Sequence, residues 1–286
     1  MRDLVTRLET GHVDCSENIC LGCSNDCVYC VSASVAAEYA QNIRRGENLV
    51  YEVLPRDEWQ VEQFKDRAFD TKIGPKDWVI RFPSSHDVTL FNVEAYIRLG
   101  KMMLKAGNAL VINSKPRIEC ITTLLTEFAP WKERIRLSFA ITSMDESLCA
   151  FWEPGAARPG ERLQCLQTAC AAGYRTSVHI SPMLGGVDDV SAVVEAAAPS
   201  VTDTITLKIM PPGLDKLKPL IDRSEEIRQA YVALQLRQRD NDFPELRRMY
   251  LEHPKFRWGL REKEKQSREL LLTAKERVAM DQLKAW

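Results

Sequence analysis

Strand-like runs recur through the middle of this chain, and none is joined to the next by a hairpin turn. "DWVIRF" (77–82), "NALVINSKP" (108–116), "RIRLSFAITS" (134–143), "RTSVHISPML" (175–184) and "TITLKIMPP" (204–212) carry the apolar, β-branched content of strands. Helical segments separate them. "NVEAYIRLGKMMLKAG" (92–107) is amphipathic and stops at Gly107; "RIECITTLLTEFAP" gives a helix to about Phe128. "RPGERLQCLQTACAAGY" (158–174) closes at Gly173, and "DVSAVVEAAAPS" (189–200) follows. Parallel strands need a crossover between them, usually a helix, so repeated β-α units imply a parallel sheet with right-handed connections. A further strand, poorly visible within "GHVDCSENICLG", brings the count to about six. An open (β/α)6 partial barrel and a doubly wound sheet both satisfy this periodicity. With 286 residues, 45% of them hydrophobic, the chain has core enough for one large α/β domain or two small ones.

In parallel architectures chemistry gathers where the strands end. Here those ends read "PSSHD", "NSKP", "ITSMDE", "SPMLGG" and "MPPG", polar or rich in Pro and Gly, and set to ring one mouth. The thiols are concentrated elsewhere. Five of nine cysteines fall in "CSENICLGCSNDCVYC", Cys15 to Cys30. An odd cysteine count in a chain without an apolar leader argues against a disulfide scaffold and for a reducing, cytoplasmic setting, where clustered thiols hold metal. Zinc ribbons need a second C-x2-C knuckle, and after Cys30 the next cysteine is Cys120. The cluster is therefore nearly self-contained. Cys23, Cys27 and Cys30 form C-x3-C-x2-C, which can ligate three irons of a four-iron cluster and leave the fourth open. The competing reading is a small zinc site that recruits Cys15 or Cys20. Cys165 and Cys170 lie in an apolar helical stretch and read as core.

The C-x3-C-x2-C loop with Tyr29 just before its last cysteine resembles the radical S-adenosylmethionine (SAM) superfamily. "LGCSNDCVYCVSA", "SSHDVT", "VINSKP" and "FWEPGAARPGERLQCLQTACAAGYRTSVHISPML" resemble the spore photoproduct lyase-like branch over roughly residues 18–210. The resemblance implies a partial (β/α)6 barrel of radical SAM type. It implies a 4Fe–4S cluster on Cys23, Cys27 and Cys30 whose open iron chelates SAM, and an electron donor of flavodoxin or ferredoxin type. One electron would cleave SAM to methionine and a 5′-deoxyadenosyl radical that takes hydrogen from a substrate, a nucleic-acid base or nucleotide. A small metabolite or peptide is the alternative substrate. By the same carry-over, Tyr29 lies beside the adenine, Lys115 with Ser114 faces the SAM carboxylate, and Ser85, His86 and Asp87 flank the methionine end. Ser138 or Thr142 reaches the ribose, and Glu153 pairs with Arg162. The branch carries a hydrogen-donating cysteine after the second strand where this chain has Ser84 or Ser85, which leaves Cys120 and Cys149 as candidate donors.

The division expected is a core barrel over 1–212, with its cluster loop at 15–30, and a helical extension over 213–286. In that extension Arg237, Arg239, Arg247, Arg248, Lys255, Arg257 and Arg261 alternate with Phe243, Tyr250, Phe256 and Trp258. Basic and aromatic side chains together track phosphates and stack bases. A solvated helical face closing the barrel edge accounts for the same pattern, since acidic residues are mixed through it. A zinc-stabilised, non-catalytic nucleic-acid-binding protein is the reading in which this stretch is the function. The net charge of −1 gives no bulk attraction to nucleic acid or membrane, and no run of about 18 apolar residues appears.

Overall fold

A computed structural model describes residues 2–9, 12–33, 59–65, 77–209, 223–238, 246 and 255–258. One sheet dominates them. Its strands are β1 (Cys15–Ser16), β4 (Val79–Arg81), β5 (Ala109–Ser114), β6 (Ile135–Ala140), β7 (Arg175–Ile180), β8 (Ile205–Leu207) and β9 (Phe256–Trp258), side by side in that order and parallel throughout. A separate antiparallel pair joins β2 (Cys20–Leu21) to β3 (Gln63–Phe64). The helices are α1 (Arg2–Glu9), α2 (Val93–Lys105), α3 (Ile118–Phe128), α4 (Glu146–Trp152), α5 (Pro159–Ala171), α6 (Val187–Ala197) and α7 (Glu225–Arg237). The alternation read from sequence is present: α2, α3, α5 and α6 each connect neighbouring parallel strands.

Side-chain alternation decides the two faces of the sheet. Ile80, Leu110, Ile112, Leu137, Phe139, Val178, Ile180, Ile205 and Leu207 point to one face and pack with Met103, Leu124, Leu166 and Val193 of the helices in the main core. The intervening residues face the concave side. At its lower end Val79, Ala109 and Val111 meet Leu4 and Leu8 of α1, an apolar plug. Arg136, buried on the same side, donates to Leu8 O at 2.9 Å and ties the plug to the sheet. Two helices end as their glycines foretold: Gly107 and Gly173 follow α2 and α5 with φ of 98° and 78°, a conformation costly for any residue with a Cβ. Asp145 caps α4 through Ser147 N and Leu148 N, and Ser224 caps α7 through Ile227 N.

One expectation is met and one changes. The hidden strand is β1, only two residues long and recognisable through its pairing with Ile80 and Arg81. The C-terminal region is not helical alone, because β9 adds a seventh strand beside β8. Nor does α7 stand apart: Tyr231 and Leu234 pack with Cys23, Val28, Trp59, Trp152 and Leu184 in a second core around the cysteine loop. The helix expected after Cys30 to Gly46 falls, beyond its first turn at 31–33, outside the described residues. So do the "MPPG" strand end and the amphipathic segment after 261. No helix among the described residues is long and apolar enough to cross a membrane.

Candidate active site

The carboxyl ends of the strands open into one cavity of about 420 Å³. Its wall is supplied by Pro83–Asp87 after β4, Asn113–Lys115 at the end of β5, Ala140 of β6, Ser181 and Pro182 after β7, and Lys208 and Ile209 after β8. The cysteine loop forms the remaining side, and Cys23, Cys27, Tyr29 and Cys30 all face the same space. The motif and the strand ends, far apart in sequence, thus meet.

The loop is fixed by main-chain bonds. Cys23 N donates to Trp59 O at 2.7 Å, Val28 N to Trp152 O at 2.9 Å and Gly155 N to Asn25 O at 3.1 Å. A Cβ on Gly155 would stand 1.9 Å from Ser24 O, so only glycine lets the Trp152–Gly155 segment press this closely against the loop. Ala33 N points at Cys30 Sγ, 3.4 Å away. Burial raises the Cys23 thiol well above its ordinary value, and its neighbours Asp87, Cys27 and Cys30 add to the rise. Burial likewise pushes Cys27 up to about 12, despite the Lys115 ammonium. These are soft donors held protonated by a dry setting, and a bound cation reverses that preference. Among the described residues no three of His, Cys, Asp and Glu are gathered as a site for one metal ion. The three thiols line a shared wall instead.

Asp87 is the hub of the opposite wall. It accepts from Asn25 Nδ2 at 2.5 Å, Lys115 N at 2.9 Å, Val88 N at 2.7 Å and the Ser114 hydroxyl. His86 is buried beside it, with Nδ1 donating to Asp87 O at 2.8 Å and Nε2 accepting from Ile19 N at 3.2 Å. That tautomer is neutral, and burial holds the ring below its ordinary pKa. Asn18 holds the next turn by accepting from Ser84 N and Ser85 N at 2.8 and 2.7 Å.

Lys115 sits between the thiols and a buried acidic centre. Its ammonium lies 5.5 Å from the Tyr29 ring centroid and 3.8 Å from Glu153 Oε1. Glu153 is fully enclosed. Arg162 Nη2 is 2.6 Å from its Oε2, Thr142 donates to its Oε1 at 2.9 Å, and the Tyr29 hydroxyl donates to the same oxygen. Burial alone would raise the carboxyl, but Lys115, Arg162 and the Tyr29 bond outweigh it and hold Glu153 below its ordinary value. The expected Glu153–Arg162 pair is present and reaches Tyr29 and Lys115 as well.

Cys23, Cys27, Cys30, Tyr29, Ser85, His86, Asp87, Ser114 and Lys115 line the cavity together. Ser138 and Thr142 do not: Ser138 shares a 2.7 Å bond with Ser177, and Thr142 is committed to Glu153. Cys120 is buried in the core, and the Cys149 thiol donates to Ser143 O at 3.7 Å. Among the described residues the only cysteines on the wall are the three of the motif. In the basic stretch, Arg237 Nη2 donates to Leu184 O and Gly185 O, and Lys255 Nζ to Ala198 O and Val201 O. Arg257 lies in β9, while Arg239, Arg247, Arg248, Arg261, Phe243 and Tyr250 lie outside the described residues. Sequence reasoning did not single out Asn25, Trp59, Asn113, Ser181 or Lys208. Lys208 carried a usable signal, standing one residue past the end of β8.

No family model matches the chain. An uncharacterized protein, ORF301 of Acidianus two-tailed virus, is 25% identical over 175 residues, covering 58% of this chain and 54% of that protein. The chain thus matches about half the length of this curated relative. Among solved structures, a substituted spore photoproduct lyase with bound AdoMet and dinucleoside spore photoproduct superposes with a TM-score of 0.53 at 13% identity. That match covers 88% of this chain and 83% of the other. A second substituted form, with dinucleoside spore photoproduct, gives 0.50 at 12% identity over 89% and 84% of the two chains. At such identities it is the backbone architecture that is shared: this chain has the partial-barrel fold of radical SAM type seen in spore photoproduct lyase.

Proposed function

We propose that the chain is a radical SAM enzyme whose 4Fe–4S cluster is held by Cys23, Cys27 and Cys30, and whose substrate is a nucleic-acid base or nucleotide. The observation carrying this reading is that two buried thiols, a half-buried third and the Lys115 ammonium face one cavity at the strand ends. Three soft donors spread along a wall suit a polynuclear cluster better than one ion. Bound and reduced, the cluster supplies the electron that cleaves SAM to methionine and a 5′-deoxyadenosyl radical.

The chain's own residues do the positioning. Lys115 presents a cation to the SAM carboxylate, and its place is fixed by Glu153 on one side and by the Asp87 bond to its main chain on the other. Tyr29, with its hydroxyl tied to Glu153, offers its ring to the adenine. Val28, Trp59, Trp152 and Leu184 keep water from the loop. One spore photoproduct lyase structure holds AdoMet together with dinucleoside spore photoproduct, and this favours a nucleotide substrate here. The Ser84–Ser85 turn lacks a readily donated hydrogen, so direct photoproduct reversal is not the proposed reaction.

The test is anaerobic. Protein reconstituted with iron and sulfide, reduced with dithionite and given SAM yields 5′-deoxyadenosine, and the Cys27→Ala variant yields none. Cys15→Ala and Cys20→Ala retain full iron. Colourless protein that binds about one zinc and leaves SAM intact would refute the enzyme and favour the nucleic-acid-binding alternative.

A further inference from the structure

The concave face of β5 reads Ala109, Val111, Asn113 and then, just past the strand's end, Lys115. Ala109 and Val111 rest on the apolar plug of α1. Lys115 stands beside the cysteine loop, its ammonium over the Tyr29 ring. Asn113 lies between the two, roughly 6.6 Å deeper along the strand than Lys115, and lines the cavity. Register sets it in one layer with Ser138 of β6 and Ser177 of β7. On its other side Phe82 N donates to Val111 O at 3.0 Å, which brings Pro83 level with it.

The two serines of this layer are satisfied. Ser138 and Ser177 share a 2.7 Å bond, and Arg136 Nε donates to Ser177 Oγ at 3.2 Å. Asn113 is not. Among the described residues its side-chain amide makes no hydrogen bond, and its Oδ1 is shut off from solvent as well. Nδ2 is the end left open to the cavity. An enclosed amide oxygen without a donor costs free energy that the fold does not recover, and native interiors rarely keep one. Leucine, of nearly the same size, would fill this position in an otherwise apolar strand at no such cost. The cavity's sides at this level are apolar, with Pro83 on β4's side and the Ala140 methyl one repeat above Ser138. Apolar sides around one unanswered planar amide suit a flat heterocycle: the sides take its faces and the amide takes its edge.

We propose that Asn113 is the specificity-determining residue of the substrate site, reading a nucleobase by an edge that carries an N–H beside a carbonyl. Nδ2 donates to the carbonyl. Oδ1, brought round by a turn about the soft terminal torsion of asparagine, accepts from the N–H. Lys115 and Asn113 then divide the cavity along β5, with SAM at the cysteine loop and the base one repeat deeper. A base presents its edge to such a floor only when it is unpaired, so the substrate is a free nucleoside or nucleotide, or one drawn out of its strand. This inference deepens the proposed function and rests on it for the substrate class and for SAM as the first ligand.

The test uses the full, anaerobically reconstituted chain with its cluster oxidised, and isothermal titration with three probes: thymidine, N3-methylthymidine and SAM. Wild type binds thymidine, and binds N3-methylthymidine, whose edge N–H is replaced by a methyl, at least tenfold more weakly. Asn113→Leu weakens thymidine at least tenfold, leaves SAM affinity within twofold of wild type, and melts no lower than wild type because it removes an unpaired amide. Should Asn113→Leu misfold, the comparison of the two nucleosides on wild type carries the test without any variant. Failure of wild type to bind thymidine overturns the inference, as do equal affinities for the two nucleosides or thymidine binding indifferent to Asn113→Leu. Loss of SAM affinity in Asn113→Leu with thymidine binding intact assigns the amide to SAM and also overturns it. Wild type that reads thymidine through Asn113 but does not bind SAM keeps the subsite and refutes the radical SAM reading. Wild type that binds SAM and not thymidine does the reverse.

Discussion

Replacing Glu153 by glutamine removes one negative charge from a site with 0% side-chain exposure and changes almost nothing in shape. Arg162 at 2.6 Å and Lys115 at 3.8 Å lose their shared counter-ion. At an effective dielectric near 20 those distances correspond to attractions of about 6 and about 4 kcal/mol before desolvation. Desolvation of the three ions offsets most of this, and breaking a buried pair from one side costs about 3–5 kcal/mol net. For a domain of this size that lowers Tm by about 10 °C. Differential scanning calorimetry of wild type, Glu153→Gln, Arg162→Met and the double variant measures it. The double variant should recover about 2 kcal/mol relative to the sum of the singles, because the second change removes the stranded charge. The pH dependence follows from the depressed carboxyl. The extra stability is complete above the unfolded value near about 4.3 and fades as pH falls through the lower folded value, so wild type and Glu153→Gln converge in acid. A Glu153→Gln protein melting within about 1 °C of wild type at pH 7, with no coupling in the cycle, would refute the ionised, partnered carboxylate.

Three further outcomes are expected. Lys115→Ala weakens SAM binding about tenfold or more by titration calorimetry, and unchanged affinity would remove Lys115 from the SAM site. Gly155→Ala, whose methyl meets the Ser24 carbonyl, displaces the cysteine loop, so iron content after reconstitution falls below half of wild type while far-UV circular dichroism is preserved. Asp87→Ala releases Asn25, Ser114 and the Lys115 main chain and costs about 2–4 kcal/mol in urea unfolding, the range for a buried carboxylate that satisfies several donors. A loss under about 1 kcal/mol there would mean these three bonds are not formed in solution.

The parallel sheet was legible because β5, β6 and β7 are six-residue strands whose apolar residues, continuous in β5 and spaced by polar ones in β6 and β7, read as extended chain, and α2 and α3 have a clear apolar face ending in a recognisable stop. What stayed hidden was structure whose cause lies elsewhere in the chain. β1 has two residues, and its extended form is dictated by hydrogen bonds to β4, with Asp14 N and Glu17 N donating to Val79 O and Arg81 O. α4 is seven residues, too short to show a period, and is started by the Asp145 cap. β9 is likewise set by its neighbour β8. In the site, the motif gave the three cysteines, and strand-end reasoning gave Ser85–Asp87, Ser114 and Lys115. Ser138 lies on β6 and Thr142 just past its end, and their partners Ser177 and Glu153 come from other segments. Spacing along one strand does not reveal who answers a hydroxyl across the sheet. Trp59 enters through a main-chain bond to Cys23 across 36 positions, a contact no local pattern encodes.

The hub at Asp87 bears on the order in which this protein matures. One carboxylate grips Asn25 of the cysteine loop and Ser114 and Lys115 of β5, so the loop is seated by the pairing of β4 with β5. A small zinc finger is unfolded until its ion arrives, and its metal affinity is its folding energy. Here the cradle is a product of the sheet. Cofactor loading becomes a late event on a finished scaffold, and a chelator should bleach the protein without melting it.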